Sequence, residues 1–386
     1  MAGAHRWEQL VTHLPSGFDC RVVSPHPSVP VGEFDRSWEL WKNERISGIP
    51  VTRLWTYQPV ENRSNIERIL NHVIFTVLAT VYVVIHGRKY DCVVVQIGPH
   101  TTLVPGITAA FLGCGFVVDI YDLWLDNAAS FGFVDEESLT YKVIERMERF
   151  ALTRCDHIIA LTPTMASQYR QKYGIDEEKF TSVPFGVDAA LFDSSIDLEE
   201  QNRIIYTGKL GEGQAFEPYL RAFSTLETDC EFVIYGFGER RDELRALCRD
   251  LEIEDRVSIH GPVARTKIPE LVAASTLSIV PLKTNETLDY ARPTKLLETM
   301  AIGTPYVASN VAEIEFVSSE SQAGIAVEND PEAVATAMRD LIVDSKKRRT
   351  MGKRGVEFID ENHRWEALGE EVGAVLSDVV HEPAPA

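Results

Sequence analysis

The chain of 386 residues has few cysteines, and no two of them have the spacing that is typical of metal ligands. Its six cysteines are scattered without a C-x-x-C motif, and its ten histidines show no H-E-x-x-H or comparable spacing. These absences argue against a disulfide scaffold and a zinc framework, and they favour a reducing compartment. We therefore expect no metal site.

Positive charge is also scarce, and lysine is the scarcer cation. The chain has 38 lysines and arginines, only 12 of them lysines, against 58 aspartates and glutamates, so its net charge is −20. Nucleic acids require clustered cations, which disfavours a general DNA or RNA binder. An acidic excess with little lysine is typical of a halophile protein, because salt screens its self-repulsion. An ordinary acidic cytosolic protein is the alternative.

One segment, Val73–Ile85, carries no charge and is apolar around the whole helix circumference. Its 13 residues are short of the ~20 that span a bilayer. Arg63 and Arg68 precede it and Arg88 and Lys89 follow it, which is typical of an interfacial helix held against anionic lipid. A helix buried between a sheet and a neighbour is the alternative. The start of the chain has no apolar core or cleavage pattern, so we expect a cytoplasmic protein, peripheral on the inner face of the cell membrane.

Apolar runs of strand length alternate with helical segments along most of the chain. Strands are predicted at Asp19–Val23, Val51–Thr56, Asp91–Ile97, Phe116–Tyr121, His157–Leu161, Phe180–Pro184, Arg203–Thr207, Glu231–Tyr235, Arg256–His260, Thr276–Pro281, Pro305–Ala308 and Gly324–Val327. Helices are predicted at Ser138–Thr153, Glu239–Leu251, Pro331–Val343, Lys346–Asp360 and Arg364–Val379. This alternation predicts the α/β class, with parallel strands covered on both faces.

The alternating elements form two sets, which meet at the polar stretch Phe192–Asn202. We predict an N-terminal Rossmann-like domain over 1–195 and a C-terminal Rossmann-like domain over 196–362. Residues 363–386 are predicted to form a helix that packs back on the N-terminal domain, and a flexible tail. Two doubly wound domains would then face a cleft lined by strand-to-helix loops.

A predicted helix that starts near Pro293 and ends at Gly303 carries a charged triplet. Arg292, Lys295 and Glu298 recur every three residues and would share a face. Two cations at a helix N-terminus oppose the helix dipole unless an anion, such as a diphosphate, lies in front. Glu298 would then accept hydrogen bonds from sugar hydroxyls. An exposed face with an ion pair is the alternative.

Glycine turns follow the first two strands of the second half. In Tyr206–Gln214, three glycines let backbone N–H groups approach phosphates, and Lys209 adds a charge. The order is not that of a P-loop, which disfavours ATPase chemistry. The second turn, Gly236–Gly238, is only weak evidence for a dinucleotide, because Arg241 stands where a third glycine is expected.

Six motifs together resemble the family-4 retaining glycosyltransferases of the GT-B fold. They are Asp122–Trp124, Leu161–Met165, Val183–Asp188, Tyr206–Gln214, Gly261–Val263, and Pro293–Glu298 with Gly303–Pro305. The chain is most similar to the branch that builds surface polysaccharides and lipid-linked oligosaccharides. This resemblance implies transfer of a hexose from a nucleotide-diphosphate sugar to a lipid-linked or growing glycan, with retention and without a metal. The nucleotide sugar is then a substrate, and no cofactor is expected.

The resemblance also implies donor-site roles. Lys209 and Lys295, with the amides of the glycine loop, would hold the diphosphate and stabilise it as it leaves. Glu298 matches the second acid of the family's E-x7-E motif, which grips the donor ribose. The expected donor-binding set is Gly208, Lys209, Gly211, Gln214, Gly236, Gly238, Arg292, Thr294, Lys295 and Glu298.

The acceptor side is expected in the first half, at Gly98, His100 and Asp122, just past strand ends. Asp122 stands where family members often carry the acid of a His-Asp pair, so it would orient or partly deprotonate the acceptor hydroxyl. A helix or turn cap is the alternative. A glycosidase pair of Asp119 and Asp122 is a further alternative, which requires carboxyls ~5–9.5 Å apart.

Three departures from the family pattern leave other functions open. The first acid of E-x7-E is replaced by Tyr290, beside Asp289, and the second cation past Lys209 is replaced by Gln214. Family members also open with a strand and a glycine turn, whereas this sequence starts at the expected first helix, so we expect that strand to be missing. A non-catalytic GT-B subunit that binds a nucleotide sugar, and a nucleotide-sugar epimerase, remain as alternatives.

Overall fold

The computed structural model describes residues 2–27, 34, 36–58, 65–130, 132–196, 198–285 and 288–381. The chain divides into two compact units. The first contains the residues up to Pro184 and those from Glu366 onward, and the second is Phe185–Trp365. The boundary therefore lies ahead of the one predicted at 195, because Val187 and Phe192 are buried in the core of the second unit. Arg63 and the last residues of the predicted tail lie outside the described residues.

The first unit contains seven strands and, with the last helix of the chain, seven α-helices among its described residues. The strands are β1 (Val22–Pro25), β2 (Trp41–Ile46), β3 (Ile49–Leu54), β4 (Cys92–Gln96), β5 (Gly115–Ile120), β6 (His157–Ala160) and β7 (Phe180–Ser182). The helices are α1 (Ala2–Thr12), α2 (Asn65–His86), α3 (Leu103–Phe111), α4 (Trp124–Ser130), α5 (Leu139–Arg154), α6 (Pro163–Tyr173) and α14 (Trp365–His381).

The described strands of the first unit form two sheets rather than one. Strands β4 to β7 are parallel and lie in chain order. Strand β3 pairs with β1 in parallel and with β2 in an antiparallel hairpin, whose turn residues Ser47 and Gly48 have φ of 49° and 82°. Strand β2 was not predicted, because its side chains are mostly exposed and polar and show no apolar alternation.

Helix α14 packs against the end of α1 and the segment that follows it. Cβ atoms added at Gly369 and Gly373 would lie 2.3 Å from the His13 carbonyl oxygen and 2.6 Å from Pro15 Cδ. Only glycine permits such a close approach at these two positions. The N-terminal and C-terminal segments of the chain are therefore parts of one packed unit.

The second unit is a doubly wound domain with one parallel sheet. Its strands are β8 (Gln201–Lys209), β9 (Glu231–Phe237), β10 (Val257–His260), β11 (Ser275–Val280), β12 (Tyr306–Ser309) and β13 (Gly324–Val327). Its helices are α7 (Phe216–Ser224), α8 (Arg241–Asp250), α9 (Ile268–Ala273), α10 (Thr294–Ile302), α11 (Ala312–Ser321), α12 (Pro331–Val343) and α13 (Ser345–Asn362). All six strands are parallel, and one apolar cluster packs on each face of the sheet.

The strand order of this sheet is β10-β9-β8-β11-β12-β13. The order reverses between β8 and β11, which is the arrangement of a dinucleotide-type Rossmann fold. In such sheets a ligand binds outside the carboxyl ends of the strands at the point of reversal. The loop after β8, which contains the predicted glycine turn, lies at this point. The predicted α/β class with Rossmann-like domains is confirmed.

The uncharged segment Val73–Ile85 lies within α2. Ala79, Tyr82 and Val83 are buried, whereas Val77 and Val84 are more than half exposed. One face of the helix is buried and the other is open, so the alternative of a helix buried on all sides is wrong. By length and composition alone this is the one described helix that could cross a membrane, a test that core helices of soluble proteins also pass.

Candidate functional site

The candidate site of the second unit is built on close approaches between the ends of β8 and β9. Gly208 has a φ of 143°, which disfavours any side chain. Gly236 is its partner in register, and a Cβ there would lie 2.0 Å from the Gly208 carbonyl oxygen. A Cβ on Gly238 would lie 2.1 Å from the Leu210 carbonyl oxygen. Gly236 and Gly238 therefore pack beneath the β8 loop and shape it.

Lys295, in the first turn of α10, lies directly over this loop. Its Nζ donates hydrogen bonds to Tyr206 Oη at 2.7 Å and Gln214 Oε1 at 3.3 Å. A Cβ added at Gly208 would lie 3.0 Å from Nζ, so the absence of a side chain at Gly208 makes room for the lysine. Burial lowers the pKa of Lys295 to about 7, although the charge of Glu298 opposes the shift. The structure thus brings Gly208, Gln214 and Lys295 together, as the motifs predict.

Tyr206 is a site residue to which the sequence analysis gave no role. Its ring is fully buried and packs edge-on against Phe216, with centroids 4.7 Å apart. Its hydroxyl donates to the Lys209 carbonyl at 2.6 Å and accepts from Lys295. Burial raises the pKa of Tyr206 well above its usual range, so the group remains a neutral phenol. The sequence signal was available, since Tyr206 opens the glycine motif.

Lys209 ends β8 and is exposed. Among the described residues it forms no salt bridge, in contrast to the hydrogen-bonded Lys295. A Cβ on the neighbouring Gly211 would lie 3.2 Å from Lys209 Cε, so this glycine leaves room for the lysine stem. The loop therefore contributes one solvated lysine, and α10 contributes Lys295 as a second, desolvated one.

Arg292, Lys295 and Glu298 were predicted to share one helix face, and this prediction is wrong for Arg292. Helix α10 begins at Thr294, so Arg292 precedes it and does not share its periodicity. Arg292 is buried, and its Nη2 lies 2.6 Å from Glu313 Oε2 of α11. Its guanidinium is thus used in a buried ion pair. Thr294 remains in place as the first helical residue, where backbone N–H groups have no partner within the helix.

Glu298 lies one turn further along α10 and is engaged by a residue that the sequence analysis missed. Its Oε1 lies 3.0 Å from Nη2 of Arg265, a half-exposed arginine. Burial raises the pKa of Glu298, and the charges of Arg265 and Lys295 oppose this shift. No pattern marks Arg265 in the sequence, because the pairing depends on tertiary structure. A ligand hydroxyl that donates a hydrogen bond to Glu298 must therefore share this carboxylate with Arg265.

The position of the first motif acid is occupied by a buried tyrosine. Tyr290 is 5% exposed. The neighbouring Asp289 accepts a backbone hydrogen bond from Glu313 N at 3.0 Å, and its Oδ1 lies 3.5 Å from Ala312 N, so it caps the start of α11. Asp289 therefore has a structural role at this point.

In the first unit, Asp119 is structural. It is fully buried, it forms an ion pair of 3.3 Å with Arg6, and it accepts from Trp7 Nε1 at 2.7 Å. Arg6 also donates to the carbonyls of Val183 and Pro184, both at 2.7 Å. An acid enclosed in this way has no access to a sugar, so the glycosidase pair with Asp122 is wrong.

Asp122 and Gly98 lie at the carboxyl ends of β5 and β4. Asp122 Oδ1 accepts a hydrogen bond of 2.8 Å from Asn127 in α4, which fits the cap interpretation. Gly98 has a φ of 135°, and a Cβ there would lie 2.7 Å from Trp124 Nε1 and 2.9 Å from Tyr121 Oη. Glycine is required here because two aromatic side chains approach its backbone.

His100 is turned into the core rather than presented at the surface. It is 9% exposed, and its Nε2 lies 3.2 Å from Glu148 Oε1. Glu148 also accepts from the hydroxyls of Tyr169 and Tyr173. Burial disfavours its charged form, but the bonds from His100 and Tyr173 outweigh burial and lower the pKa of Glu148. His100 is therefore paired with a buried carboxylate, and its acceptor-side role stays a prediction.

No group of three or more His, Cys, Asp or Glu side chains suited to a metal ion occurs within the described residues.

Two family models match the chain, one in each half. Residues 3–186 match the glycosyl transferase 4-like domain, and residues 201–344 match glycosyl transferases group 1. Together with the two Rossmann-like units, these matches define the class. The chain belongs to the group 1 glycosyltransferases of the GT-B fold.

Individual relatives are distant. The alpha-D-kanosaminyltransferase of Streptomyces kanamyceticus is 23% identical over 292 residues, which cover 71% of this chain and 73% of the relative. In seven further curated relatives the match covers 51% to 64% of their length. Sucrose-phosphate synthase from Thermosynechococcus elongatus has a similar fold, with a TM-score of 0.72, 17% identity, and coverage of 97% of this chain and 91% of that chain. HepE of Anabaena, in complex with UDP-glucose, has a TM-score of 0.65, 18% identity and coverage of 86% of both chains.

Proposed function

We propose that this protein moves a hexose from a nucleotide-diphosphate sugar to a lipid-linked or growing glycan at the membrane surface, with retention of anomeric configuration. The observation that carries the proposal is the position of Lys295, whose Nζ is hydrogen-bonded over the β8 loop at the point where the strand order reverses. A structural lysine is usually in a salt bridge with a carboxylate, whereas Lys295 is hydrogen-bonded to two neutral oxygens and the nearby Glu298 is paired with Arg265. That arrangement suits an anion as the missing partner.

The diphosphate would lie against the β8 loop and the start of α10. Lys295 supplies a charge that is strong because it is desolvated, and Lys209 supplies a second, solvent-exposed charge. The amides of Gly208 and Thr294 add hydrogen-bond donors at a loop and at a helix N-terminus. As the bond to the sugar breaks, negative charge grows on the diphosphate, and these fixed donors stabilise it without a metal. Tyr206 and Gln214 hold Lys295 in position for this role.

Glu298 would hold the ribose, in competition with Arg265. On the acceptor side, Asp122 lies just past the carboxyl end of β5 and would orient the attacking hydroxyl. The similarity to HepE in complex with UDP-glucose supports a nucleotide sugar as donor. The acidic composition supports a halophile origin, and we propose a cytoplasmic location at the inner membrane face.

The test is calorimetric titration of the purified protein with UDP, GDP and their sugars, followed by incubation with a polyprenyl-linked acceptor. We expect one nucleotide to bind, nucleotide release with the correct donor, and an anomerically retained product. Lys295→Ala should lower nucleotide affinity at least about tenfold, because a charge-assisted contact is lost. A folded wild-type protein with no affinity for any nucleotide or nucleotide sugar would refute the proposal.

A non-catalytic subunit is the second candidate, favoured by the buried Tyr290 at the place of a motif acid. It predicts nucleotide binding without release of nucleotide from the donor, whatever acceptor is offered. The incubation with acceptor therefore separates the two functions.

We also propose that a further strand completes the first unit between β1 and β4. Among the described strands, β1 pairs only with β3 and β4 only with β5. Helix α2 packs on both sheets, through Leu54 and Val23 on one side and Val93 on the other. The in-frame DNA ahead of codon 1 tests this proposal: an encoded apolar strand supports it, and a stop codon directly upstream contradicts it.

A further inference from the structure

Helix α2 exposes an apolar face along its length. Seven of its side chains are between 43% and 60% exposed, and we call them the α2 ridge: Ile69, Leu70, Val73, Val77, Val81, Val84 and Ile85. At 3.6 residues per turn they fall within an arc of about 160° and extend over about 24 Å. The opposite arc contains Ala79, Tyr82 and Val83, which are buried against the sheets and α3.

The polar groups within this stretch are satisfied inside the protein. The hydroxyls of Thr76 and Thr80 donate to backbone carbonyls four residues earlier, at 2.8 Å and 2.7 Å. The Tyr82 hydroxyl lies 3.0 Å from that of Tyr90. No charged residue occurs between Ile69 and Ile85. The ridge can therefore enter an apolar medium without leaving these hydroxyl donors unpaired.

The C-terminal end of the ridge is positively charged. Arg88 and Lys89 follow α2 directly and are exposed, and neither has an ion-pair partner in the part of the chain that the structure describes. Trp41 packs against Tyr82 and His86 of α2 and is 39% exposed. Cations beside an apolar helix face, with a tryptophan at its margin, are typical of helices that lie in a membrane interface.

We propose that the α2 ridge docks on the surface of an anionic lipid bilayer, with the helix parallel to the membrane and Arg88 and Lys89 at the headgroups. A spanning orientation would require α2 to leave the sheets on which Ala79 and Tyr82 pack. The net charge of −20 opposes association with a second copy of this chain, and it opposes approach to anionic lipid over most of the surface. The exception is the end of the ridge, where Arg88 and Lys89 lie, so charge complementarity favours anionic lipid at this surface. The inference deepens the proposed function, in that a lipid-linked acceptor would be met at this face.

The test is flotation of the full chain with vesicles of phosphatidylcholine alone or mixed with phosphatidylglycerol. Wild type should float with the mixed vesicles. The double variant Val77→Asp/Val84→Asp should partition at least about tenfold more weakly, since it places two carboxylates on the ridge. The matched control is Val143→Asp on α5, because Val143 is 57% exposed, as is Val84. The control should float like wild type.

A second variant, Arg88→Gln/Lys89→Gln, tests the charged end. It should bind the mixed vesicles more weakly than wild type and pure phosphatidylcholine equally well. Unchanged binding to the mixed vesicles would refute the part assigned to these cations.

Three results would overturn docking by the ridge. The first is that wild type fails to float with mixed vesicles, and the second is that the double variant floats as well as wild type. The third is that wild type sediments as a dimer whereas the double variant sediments as a monomer. Titration of the same proteins with UDP and GDP keeps the two proposals separate. Lost flotation with intact nucleotide binding refutes docking alone, and retained flotation without nucleotide binding refutes the proposed function alone. Circular dichroism and the melting temperature establish that each variant is folded.

Discussion

At the scale of the residue, the site is defined by how Lys295 is held. Its hydrogen-bond partners Tyr206 and Gln214 are neutral, and Glu298, whose charge acts on it, is itself paired with Arg265. This environment destabilises the charged form and lowers the pKa to about 7. The protonation of Lys295 is therefore expected to depend on whether an anion is bound.

Nucleotide binding should take up a proton above about pH 7, because a bound diphosphate favours the charged lysine. Affinity for the nucleotide identified by titration should then fall as the pH rises from about 7 to 9, by up to roughly tenfold per pH unit. Calorimetry in two buffers of different ionisation enthalpy measures the uptake. Lys295→Arg is the control, because its guanidinium stays charged and should remove the uptake. Equal enthalpies for wild type in both buffers near pH 8 would contradict the expectation.

The same pKa has the opposite consequence for folding. Between about pH 7 and the ordinary value of 10.5, the unfolded chain binds this proton and the folded chain does not. The contribution of Lys295 to the free energy of unfolding therefore rises with pH across that interval.

Removal of the Tyr206 hydroxyl should weaken nucleotide binding through Lys295. Tyr206→Phe leaves the Lys209 carbonyl and the Lys295 ammonium each without one partner, at a cost of about 1–3 kcal/mol in the free energy of unfolding. Tyr306→Phe is the matched control, because Tyr306 is also fully buried in the second unit and its hydroxyl lies 2.9 Å from Ser318 Oγ. Both variants should be destabilised, and only Tyr206→Phe should lose nucleotide affinity. Equal affinities in a calorimetric titration would show that Tyr206 is merely structural.

Local sequence identified some of these residues and not others. Gly208, Gln214 and Lys295 were predicted because they belong to short motifs whose spacing places them at one loop and one helix start. Arg292 was assigned wrongly, since its partner Glu313 lies 21 residues away and α10 begins only at Thr294. The pairing of Arg265 with Glu298 depends in the same way on how two elements pack.

At the scale of the element, the apolar runs in the sequence predicted where the strands lie. All twelve predicted strands correspond to strands of the structure, with shifts of a few residues at their ends. The missed strand β2 is held by pairing with β3 and has no apolar face of its own. A strand at a sheet edge needs only backbone hydrogen bonds, so its side chains carry little signal.

Gly236→Ala should disrupt the β8–β9 contact beneath the glycine loop that follows β8. The added methyl group would lie 2.0 Å from the Gly208 carbonyl oxygen, and two paired strands cannot move apart without losing hydrogen bonds. A loss of at least about 2 kcal/mol in the free energy of unfolding, with weaker nucleotide binding, is expected. Gly261→Ala is the control, because no atom lies within 4 Å of its added Cβ. Thermal unfolding of the two variants provides the comparison, and similar melting temperatures would argue against this role of Gly236.

Helix α1 should depend on Arg6 for its attachment. Arg6→Ala removes the ion pair to Asp119 and leaves that carboxylate and two backbone carbonyls buried without this donor. Breaking one side of a buried pair typically costs about 3–5 kcal/mol. Arg45→Ala, at an exposed residue of β2, should change the urea midpoint little. A midpoint for Arg6→Ala that matches this control would be inconsistent with the anchoring contact.

At the scale of the whole molecule, alternation of strands and helices predicted two doubly wound units, but it did not locate their boundary. The polar stretch near Asp193 looked like a linker, yet Phe192 packs into the second unit together with Val187. Composition shows where a chain is polar, whereas the domain boundary depends on the core into which a few apolar residues, such as Val187 and Phe192, pack.

The net charge of −20 should make stability depend on salt. Raising potassium chloride from about 0.15 M to 2 M shortens the screening length, so the melting temperature near pH 7 should rise. Near pH 5.0, the isoelectric point, the same salt step should have a smaller effect because little self-repulsion remains. Differential scanning fluorimetry at both pH values measures this. A melting temperature at pH 7 that is insensitive to salt would argue against a halophile origin.

Because α14 packs in the first unit, it limits which segments of this chain can be exchanged with those of a relative. Its glycines Gly369 and Gly373 fit against His13 and Pro15, and Val379 approaches Gly115, so this helix belongs structurally to the beginning of the chain. A chimera that exchanges only the residues before Pro184 would join a foreign scaffold to an α14 shaped for another surface. Exchange of the first unit between relatives should therefore succeed only when the last helix is transferred together with the residues before Pro184.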